Sequence, residues 1–130
     1  MGMQASSRFG MALLMSFVLT LIPVGAVLSG PVEWKEVAAS EAGQQWWDLG
    51  SLQRERNGQL SVLTRFLPSQ EEGEPRANGS LYVMKIDCEQ KLFKDTQVNG
   101  LPQFRSQWQP SGGDALIDAV IEEVCVSDIL

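Results

Sequence analysis

The sequence contains no histidine, two cysteines and one tyrosine in 130 residues. Without histidine there is no Ser-His-Asp or Cys-His catalysis, no His-ligated zinc and no imidazole to change charge near neutral pH. The two cysteines are not spaced as CxxC, which removes the usual sign of a thiol redox pair. Positive charge is scarce as well: 10 Lys+Arg stand against 16 Asp+Glu, for a net charge of −6. A sequence pI near 4.5 argues against nucleic acid as a partner, because phosphates require a basic face. The sequence has no Gly-rich phosphate loop, metal-ligand cluster or nucleophile motif. The expectation is therefore a protein that is not an enzyme and takes no cofactor and no metal.

What is present is the composition of a folded domain, 44% hydrophobic and 20% charged. The chain opens with a polar stretch whose only charged side chain is Arg8, and then runs uncharged from Met11 to Leu28. A basic start followed by an apolar run is the pattern of an export signal. Small residues around Val24-Gly25-Ala26 and Val27-Leu28-Ser29 offer cleavage points. The competing reading is a retained anchor, but the run is at the short edge of a membrane span and Pro23 interrupts it. Residues 1–29 are thus expected to be a signal peptide or retained anchor, and 30–130 one exported domain in the periplasm, a lumen or at the cell surface. A membrane is expected as a partner only if the N-terminal segment is retained. Loss of Arg8 makes the exported part still more acidic. At about a hundred residues it has room for one thin core.

Cys88 and Cys125 both fall in the exported part. An even count in an oxidising compartment reads as one disulfide, with a pair of buried free thiols or a redox site as the alternatives.

Val32-Glu33-Trp34-Lys35-Glu36-Val37 alternates apolar and charged residues, which predicts a half-buried strand with Val32 and Trp34 on one face. Ala38 to Gln45 reads as a connection, followed by the apolar patch Trp46 to Leu49. Asn57-Gly58 between two extended segments predicts a hairpin with positive φ at both turn positions. On the return strand Leu60, Val62, Thr64 and Phe66 share one face. Pro68 to Ser80 is a solvated loop, and its Glu71, Glu72 and Glu74 read as a solvent-facing charge run rather than a cation site. Leu81 to Asp87 puts Tyr82, Met84, Ile86 and the following Cys88 on one face. Leu92 to Val98 is a further strand, and Asn99-Gly100 a further turn.

Asp114 predicts a helix cap. Leu116, Ile117, Val120, Ile121 and Val124 then recur at the helical period, with Cys125 ending the helix within reach of Cys88. The expected fold is α+β, a small antiparallel sheet with one packed C-terminal helix and one disulfide. Its expected inward residues are Trp34, Leu60, Val62, Phe66, Tyr82 and Met84, with Ile86, Ile117, Val120, Ile121 and Val124.

The order and spacing of several short segments resemble the surface-adhesin protein E family of small exported bacterial domains. They are Trp34, Trp47-Asp48-Leu49 with Ser51-Leu52, Asn57-Gly58 into Leu60-Ser61-Val62, Ile86-Asp87-Cys88, Trp108 and the final Cys125. The resemblance covers nearly all of the exported part and implies that Cys88 and Cys125 pair. The best-known member of that family is an adhesin for host extracellular-matrix proteins, but no matching ligand segment is visible in this chain.

Trp46 and Trp47 are adjacent, so in a strand they must face opposite sides, and one can serve the core while the other anchors a contact. They are the candidate binding residues. The function expected is an exported, non-enzymatic binding module with a protein partner. The alternative is an accessory or assembly subunit docked on a membrane complex on the periplasmic or lumenal side.

Overall fold

The computed structural model describes residues 30–75 and 77–130. The expected targeting segment over 1–29 lies outside the described residues. Eight strands form one antiparallel sheet. They are β1 (Trp34–Glu36), β2 (Gly43–Asp48), β3 (Gln53–Arg54), β4 (Leu60–Pro68), β5 (Ser80–Asp87), β6 (Leu92–Val98), β7 (Leu101–Pro102) and β8 (Gln109–Pro110). Helix α1 (Ala115–Ile129) follows. The strand order is β1-β2-β4-β5-β6-β7, with β3 also on β4 and β8 also on β6. The α+β architecture expected from the periodicities is the one observed.

Alternation decides the faces. On β4, Leu60, Val62 and Thr64 are buried. Their neighbours on β5, Ile86, Met84 and Tyr82, point the same way. On β6, Phe93 lies opposite Ile86. The helix lays Leu116, Val120, Ile121 and Val124 on this inner face. Asp114 caps it as expected, its carboxylate accepting from the amides of Leu116 and Ile117. Phe66, Tyr82 and Ile117 face inward but are only half-buried.

Four local expectations need correction. Trp34 is 37% exposed and every residue of β1 faces solvent. The register pairs Glu36 with Trp46, which places Trp34 on the outer face. Val37, just past the strand, is the residue that reaches the core. The second strand begins at Gly43 rather than Trp46, because Gln44 and Gln45 pair with Leu67 and Phe66 despite their polarity.

At Asn57-Gly58 only the glycine has positive φ. Glu55 donates its amide to the Gln59 carbonyl, closing a three-residue loop in which Gly58 takes the left-handed position. The two-residue turn with both φ values positive forms instead at Asn99-Gly100, between β6 and β7. Finally, Cys125 does not end the helix, which continues to Ile129.

Between β2 and β3 the chain steps along the same edge of β4 through a single 3-10 turn, Leu49–Ser51. Ser51 Oγ accepts from the Leu63 amide at 2.8 Å, so the β4 amide at this step keeps a partner. Buried Asp48 caps the turn, accepting from the amides of Gly50 (2.9 Å) and Glu33 (2.7 Å). Gly50 is required here, since a Cβ would stand 1.9 Å from the Pro31 carbonyl oxygen.

Cys88, just after β5, is bonded to Cys125 in the helix, with Cα atoms 5.8 Å apart and a separation of 37 positions in sequence. Replacing both cysteines by serine should lower the unfolding free energy by up to about 4 kcal/mol, the loop-closure entropy for a ring of this length. Chemical denaturation of the two proteins measures it.

Candidate functional site

The adjacent tryptophans separate across β2 as their alternation requires. Trp47 points inward and is 4% exposed. Its indole Nε1–H donates to Glu123 Oε1 at 3.2 Å, which joins the strand to the helix. Trp46 points outward and is half-buried. Its cross-strand neighbours on that face are Glu36 on β1 and Arg65 on β4. The Arg65 guanidinium lies 5.1 Å from the indole centroid, a cation–π stack that holds both side chains flat on the sheet.

Further along the outer face, Leu81 lies opposite Arg65 and is exposed, and Lys85 lies opposite Lys94. Each lysine has its own partner. Lys85 pairs with Glu55 at 3.0 Å, and Lys94 sits 4.8 Å from the Trp108 ring centroid. An acidic protein thus presents three cations on its outer sheet face, two of them stacked on tryptophan. The solvent side of the helix carries the opposite sign, with Asp118, Glu122 and Glu123 exposed. The sequence reading singled out the tryptophans but not Arg65, Lys85 and Lys94. A strand register is needed to put those three on one face. Glu71, Glu72 and Glu74 lie exposed on the loop before β5.

The inner face holds a different feature. The helix covers only part of it, and the remainder is a hollow of about 270 Å³. From the helix side only Asp114 and Ile117 border it. Thr64 is fully buried there, and its Oγ1 has no hydrogen-bond partner among the described residues. Gln45, also buried, lies beside it. Asp95 enters from β6, opposite Met84 and next to a β-bulge that shifts the β5–β6 register between Val83 and Met84. Desolvation raises the pKa of the Asp95 carboxyl above its ordinary 3.8. None of these residues was a sequence candidate, because they lie on different strands with no shared spacing.

The geometry defines a small disulfide-linked sheet-and-helix domain with one clothed face and one open, aromatic-bearing face. The surface adhesin-E family model matches residues 35–129, and the chain belongs to that family. No curated protein and no solved structure matches it. Family membership suggests a surface adhesin-like binding role and an exported or cell-surface location, and it points away from catalysis. Among the described residues no helix is long and apolar enough to cross a membrane.

Two outcomes test this geometry. Trp47→Ala should cost about 3–5 kcal/mol as a core truncation, whereas Trp46→Ala should cost about 1 kcal/mol or less, the value of one cation–π stack. Thermal or denaturant unfolding of the pair reads the difference. Because the folded-state pKa of Asp95 is raised, the folded state gains stability when the carboxyl is protonated. That gain is present below the unfolded value of 3.8 and is lost as pH rises through the folded value. Asp95→Asn should therefore raise the melting temperature at pH 7, and the difference should vanish below 3.8. Melting curves across pH check it.

Proposed function

We propose that the chain is an exported, non-enzymatic binding module that holds a protein partner on the outer face of its sheet, with Trp46 as the anchor. The observation that carries this reading is the division of labour on β2. Trp47 serves the core, so Trp46 is free of that role and lies open beside Arg65. An aromatic–arginine pair is the composition enriched at interface hot spots. The surrounding Lys85 and Lys94 favour a partner that presents carboxylates together with apolar surface. Family membership supports a binding role, and the basic-then-apolar pattern of residues 1–29 is the export pattern that such a role calls for.

The test begins with cross-linking of the native protein in its own cells to identify the captured protein, followed by affinity measurements on that pair. Trp46→Ala should weaken capture at least about thirtyfold, the loss expected for a hot-spot aromatic worth about 2 kcal/mol, with little change in melting temperature. Raising the salt should weaken wild-type binding, as screening requires. Unchanged affinity for Trp46→Ala in a folded protein would remove this face as the binding surface.

A further inference from the structure

We propose that the hollow on the inner face is a second binding site, one that takes a small linear organic cation with an ammonium group at one end and a neutral hydrogen-bonding group at the other. This site is separate from the outer-face reading and does not depend on it.

Its lining sets the sign of charge. Its acidic side chains are Asp95 and Asp114, and no basic side chain borders it. The helix N-terminus, which would otherwise attract an anion, already has its first amides occupied by the Asp114 carboxylate. Asp95 has no ion-pair partner among the described residues. The charged groups around it are Asp114, which lines the same hollow, and Arg105, which lines a neighbouring cleft together with Asp95 and is not ion-paired with it. A half-buried carboxylate without a counter-ion recruits a cation.

The opposite end sets the second group. Thr64 Oγ1 is buried, unpartnered and part of the wall, next to the Gln45 side chain. A buried hydroxyl left unpaired costs stability, and a ligand hydroxyl or amide relieves that cost. Thr64 on β4 and Asp95 on β6 stand two strands apart and two residues offset along them, about 12 Å at the usual interstrand spacing and rise. Met84 and the Tyr82 ring, on the strand between, form the floor of that path, with Phe66 beyond the Thr64 end and Phe93 beyond the Asp95 end. An apolar stem therefore crosses an apolar floor, and the aromatic faces tolerate the cation at its head. The volume lies at the small end of ligand sites and excludes nucleotides and larger cofactors. A free amino alcohol and a lysine side chain ending in its backbone amide share this chemistry.

The experiment labels the methionine methyls of the protein as its native cell produces it, and follows the Met84 signal by NMR. The probes are 5-aminopentanol, 1-pentanol, pentylammonium and Nα-acetyl-lysine methylamide. Saturable movement of Met84 by 5-aminopentanol, with 1-pentanol at least tenfold weaker and pentylammonium intermediate, is the expected result. Asp95→Asn should weaken the aminopentanol at least tenfold, and Thr64→Val should erase its advantage over pentylammonium. Binding of the lysine amide as well would extend the site to peptide side chains, whereas its failure beside a binding amino alcohol would confine the site to free amines. If Met84 does not move saturably with any amine, or if 1-pentanol binds as tightly as 5-aminopentanol, the proposal fails. Should either variant not fold, the comparison of probes on the wild-type protein decides alone.

Discussion

One helix has to cover a face larger than itself. Six strands side by side span about 24 Å at 4.8 Å per step. The longer strands run for about 25 Å or more. A helix with its side chains is only about 10 Å wide. The fifteen residues of α1 therefore clothe a band of the inner face and leave the rest to manage on its own. Leu60, Val62, Met84 and Ile86 lie under that band and are fully buried. Phe66 and Tyr82, on the same face of the same strands, are only half-covered. The hollow at Thr64 and Asp95 is the part of the face that the helix does not reach.

The same constraint explains why the helix is tied down at so many points. Its buried stripe is short and its area modest, so other bonds hold its position. The disulfide fixes it to the end of β5, the Trp47–Glu123 hydrogen bond to β2, and the Arg54–Asp128 ion pair to β3. Among the described residues, no helix covers the outer face. Two of its tryptophans are screened by cations lying on them, Arg65 on Trp46 and Lys94 on Trp108. Such a covering keeps an exposed indole soluble while leaving it available for contact.

Much of the architecture was legible in the sequence, because alternation and helical period are local signals. The faces of β4 and β5 and the Asp114 cap follow from neighbours within a few residues, and the cysteine pair follows from there being two cysteines in the chain. Trp34 was misassigned because alternation shows that two faces differ without showing which one is inside, and β1 lies at an edge where neither face is buried. Asn57-Gly58 carried the stronger-looking turn signal, yet the two-residue turn formed at Asn99-Gly100. The length of the closing loop at Glu55 and Gln59 decided that, and dipeptide identity does not encode it. For the candidate sites, the split of Trp46 from Trp47 could be read from adjacency alone. Arg65 beside Trp46, and Thr64 with Asp95 around one hollow, depend on registers between strands and on a bulge, which no spacing along the chain records.

The helix also follows all eight described strands in chain order. Its indole contact at Glu123 reaches back 76 residues to Trp47, and its cysteine reaches back 37 to Cys88. A chain emerging N-terminus first therefore completes its strands while their apolar side has nothing to cover it, and long-range closures of this kind are slow. In that interval the strands resemble an open ledger of sticky Leu, Val, Met and Ile side chains, the substrate that holdase chaperones recognise. Maturation thus has a natural checkpoint at the synthesis of the helix. A chain truncated before Asp114 would keep every strand of the sheet and lose the whole of its cover, and quality control would meet it as an aggregation-prone sheet rather than as a shortened protein.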